Sequence, residues 1–208
     1  MKEIFRLCFV LTVIAAVSAG VLAFVNQQTE EPIARALLEE TMSAVRGVLP
    51  PFDNEPAEDT IDIVTAPGDT MKVYRGRSGG EINGAAFAVT APDGYSGDIR
   101  FMIGVDTNGV VTGLEILQHL ETPGLGAKIQ EAAFRDQYKG KSLEDPKNWA
   151  VTKDGGTFVP ITGATISSRA ITKATAKGLE MFRDHRGEIL GGPAAEAPAD
   201  STAAGGEE

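Results

Sequence analysis

Cysteine is nearly missing from this 208-residue chain: the single one, Cys8, lies in the apolar N-terminal run. An intrachain disulfide is therefore excluded, and so is a cysteine-ligated cluster built within the chain. Histidine is almost as scarce. His119 and His185 are far apart, and neither stands at metal-ligand spacing from another strong ligand. Basic residues are outnumbered, 19 Lys and Arg against 29 Asp and Glu, for a net charge of -10. That balance excludes a nucleic-acid groove, because neutralising phosphates needs clustered Lys and Arg. No internal repeat is visible.

What is present begins with an apolar run. No charged residue occurs from Leu7 to Val25, a stretch of roughly 28 Å as a helix, close to the hydrocarbon thickness of a bilayer. A cleaved signal peptide, with Val17-Ser18-Ala19 before Gly20, is the competing reading. The run continues through Val21, Leu22, Phe24 and Val25, longer than the usual signal-peptide core of about 7–15 residues, which favours an uncleaved anchor. Lys2 and Arg6 precede the span and Glu30-Glu31 follow it. The positive flank places the N-terminus in the cytoplasm and the remaining domain on the periplasmic side of the cell inner membrane.

The expected organisation is a transmembrane anchor over 1–28, one α+β domain over 29–190 and a disordered acidic tail over 191–208, rich in Gly, Pro and Ala. Within the domain, Glu31-Pro32 opens a helix to about Val48, ended by Pro50-Pro51. Short strands are expected at 61–64 and 71–74, and stronger ones at 85–90, 99–105 and 110–117, with Asn108-Gly109 as a hairpin turn. A helix is expected over Ala127–Tyr138, a polar linker over 139–148, a short strand at 149–152 and a closing helix from Ser168 to about Arg186. The sheet is expected to be antiparallel with helices packed against it.

Two segments carry chemistry. Thr162-Gly163-Ala164-Thr165 are small residues just before a helical stripe of Ile171, Ala174, Gly178, Met181 and Phe182. Small side chains leave room for a bulky group, and the unpaired first-turn amides with the helix dipole favour a phosphate there. An ordinary loop capped by Ser167 or Ser168 satisfies the same string. The other segment is His119-Leu120-Glu121-Thr122-Pro123-Gly124-Leu125-Gly126, a rigid turn whose glycines let a backbone or a flat ring approach. Alone, it too reads as a common turn.

The order of His119-x-Glu121-Thr122-Pro123-Gly124-Leu125-Gly126, then Lys153-Asp154-Gly155-Gly156, then Thr162-Gly163-Ala164-Thr165-Ile166-Ser167, resembles the FMN-binding domain family. Within it the chain is similar to the G subunits of Rnf-type electron-transport complexes, membrane-bound ferredoxin:NAD oxidoreductases, over about residues 1–187. It is similar more distantly to the C subunits of sodium-pumping NADH:quinone oxidoreductases. The resemblance implies an electron-transfer subunit of an ion-translocating complex, with FMN joined through its phosphate to the hydroxyl of Thr165. A separate flavin transferase would make that bond, and the other complex subunits would be partners. Thr162, Gly163 and Ala164 are then expected around the phosphate, and Glu121, Thr122, Gly124, Leu125 and Lys128 along the flavin. No catalytic or metal-ligating residue is expected in the chain itself, because the cofactor carries the chemistry. The family's usual aspartate a few residues before Thr-Gly-Ala-Thr is absent: the run is Thr157-Phe158-Val159-Pro160-Ile161, and the nearest acid is Asp154. An anchored binding domain without flavin is the reading from a different functional class.

Overall fold

In the computed structural model, residues 1–66 and 69–191 are described, Ala66 and Asp69 by their backbone alone. The expected tail lies, beyond Gly191, outside the described residues. The chain divides into two compact units, Met1–Thr41 and a second from Met42 onward.

From Lys2 onward the first unit is helical, as part of helix α1, Lys2–Val48. Its apolar window has a mean hydropathy of 2.6 and buries nothing within the protein, so by length and composition it can cross a membrane. The helix expected to begin at Glu31-Pro32 is instead continuous with the apolar run, and Pro32 lies inside α1. Gln and Glu, which dominate the segment before it, are good helix formers. The hydrogen bond that Pro32 removes belongs to an exposed stretch where water replaces it.

The second unit is an antiparallel meander, β1 (Thr60–Ala66), β2 (Asp69–Ser78), β3 (Glu81–Ala91), β4 (Ile99–Asp106) and β5 (Val111–Gln118), in sheet order β1-β2-β3-β4-β5. Side chains alternate across a strand, and both faces of the central strands are used. Ala85, Phe87, Val89 and Ala91 of β3, with Ile99, Phe101, Ile103 and Val105 of β4, point into the main core. Ala86 and Met102 point the other way, onto Met42, Val45 and Val48 in the last turns of α1. The main core is closed by helix α3 (Thr165–Gly191), whose Ile171, Ala174, Leu179 and Phe182 are buried. Phe182 stacks on Phe87 at 6.5 Å between ring centroids.

The opposite face closes only because β4 and β5 carry glycine there. A Cβ on Gly104 would stand 2.0 Å from the Val48 carbonyl oxygen, which accepts the Thr112 hydroxyl at 2.5 Å. Gly104→Ala therefore forces the helix end off the sheet. The expected loss is about 1–3 kcal/mol, typical of overpacking, read as a lower unfolding midpoint.

Strands β2 and β3 run longer than expected, because Gly79 and Gly80, both at positive φ, join them in a tight hairpin. The Asn108-Gly109 turn forms as expected, with the Asp106 carboxylate accepting the Asn108 and Val110 amides. The segment expected as one helix over 127–138 is broken instead. It comprises a 3-10 helix at Gly126–Gln130, a single turn α2 (Ala132–Arg135) and another 3-10 turn at Asp136–Tyr138. Extended backbone at Glu131 interrupts it, so that Ile129, Phe134 and Tyr138 all turn into the core. A regular helix would have swung one of them out. Tyr138 stacks on Phe158 and shares a 2.7 Å hydrogen bond with Thr172 of α3. Burial pushes its phenol well above the ordinary range, so it remains a neutral tie between this segment and α3. The strand expected at 149–152 is a single bridge, Val151 to Phe158.

Candidate functional site

Helix α3 begins at Thr165, three residues earlier than expected. The backbone explains the difference. The Ala164 amide bonds to the Ile161 carbonyl, a turn with Thr162 and Gly163 at its centre, and the Ser168 amide then bonds to the Ala164 carbonyl as the first helical bond. Gly163 has φ +83°, the left-handed value that such a turn requires at its third residue and that glycine adopts without strain. Ser167 and Ser168, expected as possible caps, are buried inside the first turn instead. The Ser168 hydroxyl accepts the Ile161 amide and donates to the Ala164 carbonyl, which locks the turn.

The Ser167 hydroxyl donates to Glu121 Oε2 at 2.8 Å. Only 4% of Glu121 is exposed, and its other oxygen accepts the Tyr95 amide at 2.8 Å and the Ser96 amide at 3.3 Å. The Glu121 amide itself donates to His119 Nδ1 at 3.1 Å. One carboxylate thus clamps three segments: the loop after β3, the turn after β5 and the start of α3. Gly126 makes this possible, since a Cβ there would stand 2.3 Å from Glu121 Oε2. Ser167→Ala leaves that buried oxygen without its donor. The expected cost is about 1–3 kcal/mol, measured as a fall in thermal midpoint and faster proteolysis at residues 94–97.

Around this clamp lies a cavity of about 390 Å³, within the range of roughly 300–1,000 Å³ usual for small-ligand sites. Leu125, Ile166 and Tyr95 give it apolar walls; Glu121, Thr122, Lys153, Thr165 and Ser167 give it polar ones; Gly126, Gly163 and Ala164 complete the lining. Lys153 Nζ donates to Thr165 Oγ1 at 3.0 Å. Lys153 sits on a 3-10 turn, Thr152–Asp154, beside Asp154, whose two oxygens grip Arg169 of α3 at 2.5 and 2.6 Å. Arg169 holds the Asp154 carboxyl below its usual range. A lowered carboxyl pKa stabilises the contact above the ordinary carboxylate range and releases it only as pH falls through the depressed value, so the pair is intact at neutral pH.

The structure brings the two quoted motifs together, with Leu125 Cδ2 3.1 Å from where a Gly163 Cβ would be. Six of the expected residues, Glu121, Thr122, Leu125, Gly163, Ala164 and Thr165, line the cavity. Gly124 and Lys128 lie instead on a separate shallow depression with Ala127, Gln130 and Glu131. Thr162 is exposed on the turn and is not part of the cavity wall. Sequence reasoning missed Tyr95, gave no role to Lys153 and read Ser167 only as a possible cap. Tyr95 is 26 residues from the carboxylate that holds its amide, with no local signal to connect them.

The residues fit a phosphorylated flavin. The open first-turn amides of α3 and the Lys153 ammonium suit a phosphate beside Thr165, and Leu125, Ile166 and Tyr95 suit a flat aromatic ring. No acid stands where the family aspartate is expected: Asp154 is committed to Arg169, and Val159 is exposed.

Comparison with known proteins agrees in both parts of the chain. Residues 94–180 match the FMN-binding domain model, and residues 1–47 match that of the RnfG N-terminal region. The G subunit of the ion-translocating oxidoreductase complex of Aliivibrio fischeri is 37% identical over 191 residues, covering 87% of this chain and 91% of that protein. Its counterpart from Pseudomonas aeruginosa is 36% identical over 202 residues, covering 91% of this chain and 93% of its own length. The crystal structure of Shewanella oneidensis NqrC aligns with 59% of this chain and 62% of that one, at a TM-score of 0.49 and 21% identity. With 36–37% identity to those two relatives over 87–91% of its length, the chain belongs to the family of G subunits of ion-translocating oxidoreductase complexes.

Proposed function

We propose that this chain is the FMN-bearing electron-transfer subunit of an Rnf-type ion-translocating ferredoxin:NAD oxidoreductase, anchored by residues 1–28 and carrying its flavin on the domain over 29–190. The flavin is held covalently, through a phosphoester to Thr165 made by a separate flavin transferase. The observation that carries this reading is the Thr165 hydroxyl at the cavity wall, in the first turn of a long helix, with the Lys153 ammonium 3.0 Å away. FMN supplies the redox chemistry when bound, and the protein supplies its position and surroundings. Leu125 and Ile166 offer the ring an apolar bed, and the exposed Tyr95 adds an aromatic side chain to the cavity wall. Glu121 keeps the two motif turns at a fixed separation, since both of its oxygens are engaged by other segments.

The test is the mass of the full chain after coexpression with a flavin transferase. One added FMN-phosphoryl group per chain is expected, with fluorescence that survives denaturation; a mass equal to that of the polypeptide alone would overturn covalency.

Lys2 and Arg6 before the apolar run favour a cytoplasmic N-terminus and a periplasmic domain. Alkaline phosphatase fused after the domain is accordingly expected to be active, and a fluorescent protein that folds only in the cytoplasm to stay dark. The reverse pattern would turn the orientation over.

A further inference from the structure

We propose that Lys153 is the positioning residue of the flavinylation site: its ammonium orients the Thr165 hydroxyl and supplies the counter-charge for the phosphoryl group that arrives there. The inference rests on the reading of Thr165 as the attachment point and extends it to a residue outside the Thr-Gly-Ala-Thr turn.

The geometry points this way on three counts. Lys153 Nζ donates to Thr165 Oγ1 at 3.0 Å, and both side chains line the same cavity. Among the described residues Lys153 makes its hydrogen bond to the neutral Thr165 hydroxyl and no salt bridge, while the neighbouring Asp154 carboxylate, which feels its charge, is held by Arg169. Next to a phosphate oxygen the same ammonium makes a hydrogen bond in which both partners are ionised, with a direct charge attraction that a hydroxyl does not offer. Finally, the position is built rather than incidental. Asp154, the next residue, grips Arg169 through both oxygens, so the turn that carries Lys153 is pinned to the first turns of α3. Gly156 lets that turn close, since a Cβ there would stand 1.8 Å from the Ala150 carbonyl oxygen.

The chemical step is a phosphoryl transfer in which no electron moves. Thr165 Oγ1 forms a bond to the phosphorus of the riboflavin-phosphate half of FAD. The bond from that phosphorus to the bridging oxygen breaks, AMP leaves, and the hydroxyl proton passes to a base of the transferase. Lys153 is not that base, because it donates to Oγ1. By occupying a lone pair of the oxygen it leaves the hydroxyl proton free to be removed, and its charge faces the oxygens on which negative charge gathers. The first-turn amides of α3 act in the same direction.

The experiment is a time course of flavinylation of the purified full chain in detergent, with FAD and a flavin transferase, read by fluorescence after denaturing electrophoresis and by intact mass. Lys153→Gln is expected to slow labelling by about 10-fold or more, while Lys153→Arg, which keeps the charge, remains within about 3-fold of the parent. Lys153 is exposed, so both variants are expected to melt at the parent temperature. Rescue by arginine separates charge from mere packing. Labelling of Lys153→Gln at the parent rate, or of Lys153→Arg as slowly as Lys153→Gln, overturns the proposal. Failure of the parent chain itself, with a control substrate labelled by the same transferase, overturns the Thr165 reading instead, and this inference with it.

Discussion

Thr165→Ala is expected to abolish covalent flavin altogether: the denatured protein becomes colourless and non-fluorescent, and its mass equals that of the polypeptide. The argument is stoichiometric before it is energetic, since without Oγ1 no phosphoester can form at that position. Thr165→Ser keeps the hydroxyl at the first residue of α3 and is expected to retain labelling. The neighbouring hydroxyl groups of the same turn are poorly placed to substitute. Ser167 and Ser168 are fully buried and engaged, with Glu121 and with the Ile161–Ala164 turn respectively. Thr162 lies on the exposed turn outside the cavity wall. Fluorescence that survives denaturation in Thr165→Ala would place the linkage elsewhere. Because Thr165 is partly exposed and lies outside the main core, its loss is expected to leave the melting temperature nearly unchanged. The flavin effect is thereby separable from unfolding.

Asp59→Ala is expected to be among the most damaging substitutions for stability. Asp59 is 5% exposed and Arg75 is fully buried at the centre of β2, a position that alternation would otherwise give to an apolar residue. Arg75 Nε donates to Asp59 Oδ1 at 2.6 Å, and Arg77 binds the other oxygen. The Arg75 amide also donates to the Asp59 carbonyl at 2.9 Å. Removing one partner of a buried pair typically costs about 3–5 kcal/mol, because a buried charge loses a counter-ion and the hydrogen bonds that go with it. Against a total stability of roughly 5–15 kcal/mol for an ordinary domain, that is a large fraction. For a domain of this size the thermal midpoint should fall by about 10 °C. Asp59→Asn preserves the shape and not the charge, and should recover little. A fall of under about 3 °C in Asp59→Ala would show that β2 tolerates the loss by letting water reach Arg75.

Much of this architecture is legible in local pattern. β4 and β5 announce themselves through their apolar runs and the Asn108-Gly109 signal between them, because strand pairing across a short hairpin loop is a local event. The α3 stripe at Ile171, Ala174 and Phe182 reads in the same way. Where the reading failed, a non-local partner was responsible. The 127–138 segment has helix-forming residues, but Ile129, Phe134 and Tyr138 are all drawn to a core built from β4, β5, α3 and Phe158, and the backbone breaks at Glu131 to deliver them. The length of β2 was obscured by Arg75 and Arg77, polar residues that Asp59, distant in sequence, helps to hold in place. The start of α3 was misplaced because Ser167 and Ser168 look like caps until Glu121 and the Ile161 amide are seen against them.

By itself, the amino-acid order determined what depends on near neighbours or on composition. It sets an apolar N-terminal helix with a basic flank, a hairpin sheet followed by a glycine-rich turn, and a hydroxyl at the entrance of a helix. Tertiary structure alone decided what surrounds that hydroxyl: Lys153, 12 residues away, the Glu121 clamp on Ser167 across 46 residues, and Tyr95 in the cavity wall. The physical reason is that hydrogen bonds and charge contacts of a few ångströms carry no trace in spacing along the chain. They exist only once α3 has buried its apolar face on the sheet and carried its first turn up to the loops that hold the complementary groups.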